Sequence, residues 1–130
     1  MDRRALTAWM RRIAATLALL APFGVVQAGD EWTTEERATF AASSALLVAD
    51  WAQTRKIARN AQMYSETNSI LGQHPSVGRV NTYFATALLL NYVIGRSLTS
   101  RWRTAWFVAV GSVEANVVQR NLSIGLTVSF

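Results

Sequence analysis

The sequence predicts an all-α chain: a small three-helix bundle of integral membrane type, with an N-terminal signal peptide and an extended C-terminal tail. Three observations carry this. The N-terminus is basic, then apolar, then small. Three later segments are long and poor in Gly and Pro. Those segments are apolar all round, as "FATALLLNYVIG" shows, whereas a soluble bundle of this size needs polar outer faces. The 130 residues suit one domain, 51% of them apolar and 16% charged, with no cysteine. A disulfide scaffold and a thiolate metal site are therefore excluded.

Arg3, Arg4, Arg11 and Arg12 precede "IAATLALLAPFGVV", and "VQA" stands before Gly29. This is the pattern of a secretory signal peptide, expected to span 1–28 and to be cleaved after Ala28, with an uncleaved anchor as the alternative. The net charge of +5 falls to +2 once those residues go, with nine basic and seven acidic side chains left. The basic balance thus belongs to targeting, and a nucleic-acid partner is not expected. A bacterial envelope is the natural setting.

The single helical domain is expected over 29–130. "DEWTTEER" (30–37) holds four of the seven remaining acids. Thr33 with Glu36 fits a capping box, so a helix should run from about 34 to 60, apolar early and basic late. "AQMYSETNSILGQHPSVGR" reads as a loop, with the second helix starting at Pro75 or just after. "VNTYFATALLLNYVIG" (80–95) is uncharged and Arg96 ends it. "SLTSRWR" forms a basic turn with Thr99 or Ser100 as N-cap, and a third helix runs through 104–118.

None of these runs has the eighteen or so uninterrupted apolar residues of a clear membrane span. Tyr83, Trp32, Trp102 and Trp106 lie near predicted ends, where aromatic belts sit. Export places 30–37 outside and the loop with Arg55, Lys56, Arg59 and Arg79 in the cytoplasm, as the positive-inside rule asks. Arg96, Arg101 and Arg103 then fall outside, against the rule. A re-entrant segment resolves that conflict, and so does a soluble periplasmic bundle. "NLSIGLTVSF" alternates, with Leu122, Ile124, Leu126, Val128 and Phe130 on one face. It resembles a closing strand of an outer-membrane barrel, but one strand makes no barrel. An inner-membrane location with an exported N-terminus is expected, with periplasm and outer membrane as alternatives.

Asp50, Gln53 and Thr54 in "LLVADWAQT" share a helix face at i, i+3 and i+4. Glu66 and Asn68 follow in "SETNSILG", and Glu114 stands among Val and Ala with Asn121 two turns on. A carboxylate beside hydrocarbon is costly, so such groups face an interior, pair, or line a pathway. Asp50, Gln53, Thr54, Glu66, Asn68, Glu114 and Asn121 therefore form the expected polar cluster, with Arg79, Arg96 and Arg120 as counter-charges. The bland reading is a packing network that fixes how the helices meet. Arg55, Lys56 and Arg59 are candidates for anionic headgroups. His74, with the carboxylates, lacks metal-ligand spacing, so no metal site is expected. Ser43, Ser44 and Ser76 lack an activating motif, and the scattered glycines cradle no phosphate. No cofactor is implied.

The pattern Asp50-x-x-x-Thr54, then Glu66-x-Asn68, resembles a group of small uncharacterised bacterial and phage-borne membrane proteins. In those the Asn precedes Pro, where Ser69 stands here. The resemblance covers roughly 50–130 and implies a membrane location and a buried polar cluster, with no activity attached. The expected function is accordingly non-enzymatic: a small envelope protein acting by lipid or protein contacts, such as a phage or prophage accessory factor. Two other classes stay open. One is a minimal intramembrane enzyme or cation- or proton-binding protein using Asp50, Glu66 and Glu114. The other is a self-associating pore or lysis factor, for which "AASSA" (41–45) offers small residues.

Overall fold

Thr33 takes extended backbone and accepts the Glu36 N–H on its hydroxyl at 3.2 Å, while Glu36 Oε2 accepts the Thr33 N–H at 2.7 Å. This reciprocal cap starts α1, Thr34–Arg59, whose first turn is acidic and last turn basic, as the helix dipole favours. Ser76 caps the next helix in the same way, accepting from the Arg79 N–H at 3.2 Å, and α2 runs Val77–Ser97. Leu98 and Thr99 make the connection to α3, Ser100–Ser123. The computed structural model describes residues 31–130, so the expected signal peptide, 1–28, lies outside the described residues.

All described regular structure is helical. The alternating tail forms no strand: α3 continues through Ser123, so Leu122 belongs to its last turn. Gly125, at φ 87°, then turns the chain into an irregular segment. Leu126 is buried there, while Ile124, Val128 and Phe130 are exposed.

Glu36 of α1 meets Arg103 of α3 at one end, and Gln53 of α1 meets Val118 of α3 at the other. These two helices therefore run parallel. Ser43 with Asn91, and Trp51 with Asn81, set α2 antiparallel to them. Leu47, Leu71, Val80 and Phe84 form an apolar core flanked by Trp51, Tyr83 and Val110, so the 60–76 loop contributes a core residue, Leu71.

Ala52, Ile57, Phe107, Val118 and Leu126 are buried as well, and the interior also holds polar groups. At the α1 N-terminus Arg103 Nη1 donates to Glu36 Oε1 at 3.0 Å, and both side chains are almost fully buried. Arg103 Nε and Nη2 each donate at 2.8 Å, to the carbonyls of Gly95 and Leu98. One guanidinium thus bonds a carboxylate and two carbonyls at the end of α2, of which that of Gly95 also accepts the Leu98 N–H. Burial pushes the Glu36 carboxyl up, but hydrogen bonds from Ser100, the Thr33 N–H and Arg103, with the Arg103 charge, hold it below its ordinary range. Midway along, Asn91 donates to Ser43 Oγ at 3.0 Å and accepts from Trp106 Nε1 at 3.0 Å, one contact to each neighbouring helix.

Trp32 and Trp106 are half-buried and pack into the bundle. Trp32 packs against Phe40, Tyr92 and Phe107, with the Arg103 guanidinium 5.6 Å from its ring. Trp102 is half exposed. Among the described residues no helix is long and apolar enough to cross a membrane.

Two stability outcomes follow. Arg103→Met should cost about 3–5 kcal/mol in denaturant unfolding, because it strands a buried carboxylate. Gly95→Ala should cost about 1–3 kcal/mol, since its methyl would overlap the buried Phe107 ring.

Candidate functional site: a carboxylate cluster

Asp50 lies two-thirds along α1 and is buried. Thr54, one turn later, donates its hydroxyl to Asp50 Oδ1 at 3.2 Å, and Asn121 Nδ2 from α3 donates to the same oxygen at 3.2 Å. Asn121 Nδ2 also donates to Gln53 Oε1 at 3.1 Å. Both protein donors thus converge on Oδ1. Glu114, almost two turns before Asn121 on α3, comes within hydrogen-bonding reach of Asp50, carboxyl to carboxyl. Glu114 Oε2 is a buried atom with no hydrogen-bond partner.

The loop after α1 brings the third carboxylate. Glu66 N–H donates to the Gln73 carbonyl, and Glu66 Oε1 accepts the Asn68 N–H at 2.8 Å. Asn68 Oδ1 accepts the Ile70 N–H, and its carbonyl accepts from Leu71 and Gly72. Gly72, at φ 80°, ends that turn. Glu66 Oε2 is buried and without a partner. Tyr83 of α2 supplies the remaining wall. Its phenol is raised above its ordinary range by burial and by the charges of Glu114, Asp50 and Glu66, against a hydrogen bond with Asn68.

The structure therefore gathers Asp50, Gln53, Thr54, Glu66, Asn68, Glu114 and Asn121 from both ends of the sequence. Arg79, Arg96 and Arg120 do not act as their counter-charges. All three are exposed, and Arg79 donates instead to the Ile70 carbonyl at 2.6 Å. Among the described residues the one ion pair is Arg103–Glu36, at the opposite end. Arg55 and Lys56 hold the C-terminal segment, by a cation–π contact to Phe130 at 5.6 Å and a bond to Thr127 Oγ1 at 3.2 Å. Of the expected headgroup residues Arg59 alone is exposed. Among the described residues no three His, Asp or Glu side chains converge closely enough to hold a metal, and His74 is exposed.

Sequence reasoning placed Tyr83 at a membrane boundary and missed it here. The available signal is the polar pair Asn81 and Tyr83 in an otherwise apolar run, since Asn81 accepts from Trp51 Nε1 at 2.9 Å on the same side of α1.

With no cation in reach, burial and like charge act together. Burial and the Glu66 charge push Asp50 up to about 6, while the bonds from Thr54, Glu114 and Asn121 pull the other way. Burial, the Asp50 charge and the bond to Asp50 push Glu114 up to about 7. Both carboxyls therefore hold a proton more tightly than an ordinary carboxyl does. Comparisons with protein-family models, with curated proteins and with solved structures give no match, so geometry carries the functional reading.

The pH dependence has a definite sign. Both carboxyls bind protons more tightly folded than unfolded, so their stabilisation is complete below pH 4 or so and is lost as pH rises through about 6 and 7. The thermal midpoint should fall across that interval, and Glu114→Gln should flatten the fall.

Proposed function

We propose that this chain is a proton-binding helical protein whose centre is the Asp50–Glu114 pair, with Glu66 and Tyr83 as the next groups in reach. The observation that carries the reading is a carboxyl–carboxyl contact between two helices with no cation beside it. A structural ion pair would bring an arginine there, as Glu36 does at the other end. Two like charges in one buried contact cannot both ionise cheaply, so a proton is the natural bound species. A carboxyl near pH 7 is also matched to taking up and giving back a proton under physiological conditions. The half-buried Glu66 connects the pair to the loop surface.

Infrared spectroscopy tests this directly. The protonated-carboxyl band should be present in the neutral wild-type protein, vanish as pH is raised past 7, and be missing in Glu114→Gln. A folded wild-type protein without that band would overturn the reading. Asp50→Asn discriminates further. A purely structural cluster loses folded protein on this change, whereas a proton site loses the titration and keeps the fold.

The outward faces favour a second reading, association with lipid in the bacterial envelope. Beside the apolar core, Glu36, Ser43, Asp50, Gln53, Thr54, Asn91 and Arg103 are buried, while Leu89, Val108 and Val113 are all more than half exposed. Against water such a surface is unfavourable, whereas against acyl chains it is matched and polar groups belong inside. Carbonate-washed membranes from expressing cells should retain the protein; full release into the wash would remove this reading.

A further inference from the structure

The parallel packing of α1 and α3, with α2 antiparallel, collects five cationic side chains at one end of the bundle: the exposed Arg59 of α1, Arg79 of α2 and Arg120 of α3, with Arg55 and Lys56 of α1 half-buried against the C-terminal segment. The carboxylates of that end do not offset them outside. Asp50 is buried, and Glu66 and Glu114 are turned partly inward with a buried oxygen each. The exposed carboxylates among the described residues, Glu31 and Glu35, both lie at the opposite end. Between the cations stand exposed apolar side chains from the loop and the C-terminal segment: Met63, Ile70, Ile124, Val128 and Phe130.

We infer that this end of the bundle docks on an anionic phospholipid surface, the cations meeting headgroup phosphates and the apolar side chains entering the headgroup boundary. The inference rests on the lipid-association reading and adds to it the end that docks and the charge of the lipid. A ring of cations interleaved with apolar tips is what an interfacial site requires, since charge attraction and apolar burial act on one plane. Nucleic acid is the less suitable partner, because the side chains between these cations are aliphatic or a single Phe, with no row of aromatic rings on which bases could stack.

The test uses the full chain and vesicles of phosphatidylcholine, with or without an equal part of phosphatidylglycerol. Binding should be stronger to the anionic vesicles and should weaken with salt. Arg59→Gln/Arg120→Gln changes two exposed cations whose side chains make no hydrogen bond or ion pair among the described residues. It should weaken anionic-vesicle binding about 25-fold, from about fivefold for each basic residue near such a surface. Arg96→Gln/Arg101→Gln, at the other end, should leave it unchanged. Equal binding to both vesicle types, or an equal loss in the two double variants, overturns this inference and leaves lipid association standing. Binding to neither vesicle removes lipid association as well. Tighter binding to a duplex oligonucleotide than to anionic vesicles would assign the basic end to nucleic acid instead.

Discussion

The fold depends on one guanidinium. Arg103 reaches all three helices at once, through its own helix, the Glu36 carboxylate of α1 and the last carbonyls of α2. A buried charge is costly unless it is paired and its remaining donors are used. Here each of the three nitrogens donates. Lysine has the charge but not the planar fork, so it would leave one of these acceptors unmet. The contact also decides how closely α2 and α3 can meet, since Gly95, whose carbonyl Arg103 takes, lies directly against Phe107.

The other end solves the same problem by different means. Asp50 and Glu114 meet there with no salt bridge to either among the described residues, while Arg59, Arg79 and Arg120 are exposed. Burial and like charge favour the protonated form of both carboxyls. One molecule thus carries an ion pair at one end and a contact between two carboxyls of raised proton affinity at the other, with apolar packing between.

Much of this was legible in the residues and some was not. Thr33 with Glu36 located the start of α1 because a capping box is local chemistry. The grouping of Asp50, Gln53 and Thr54 followed from helical spacing. Pairing across helices did not follow: Glu36 and Arg103 are 67 residues apart, and nothing nearby tells Arg103 from Arg101. Charge sign suggested Arg79, Arg96 and Arg120 as partners of the carboxylates, but long basic side chains readily reach solvent and carboxyls of raised proton affinity have less need of them. The C-terminal alternation misled because period two was read across a helix end. Asn121 keeps that end ordered through its carbonyl, which accepts the Ile124 and Leu126 N–H groups.

Asn91 has a consequence for movement. Its amide donates to α1 and accepts from α3, so sliding any helix by one turn would strand polar groups in the interior. The register of the three helices is therefore fixed by polar pairing as well as by apolar packing. The 60–76 loop, which carries Glu66, is not part of that lock, and it joins the bundle through the buried Leu71 and the bond from Arg79 to the Ile70 carbonyl.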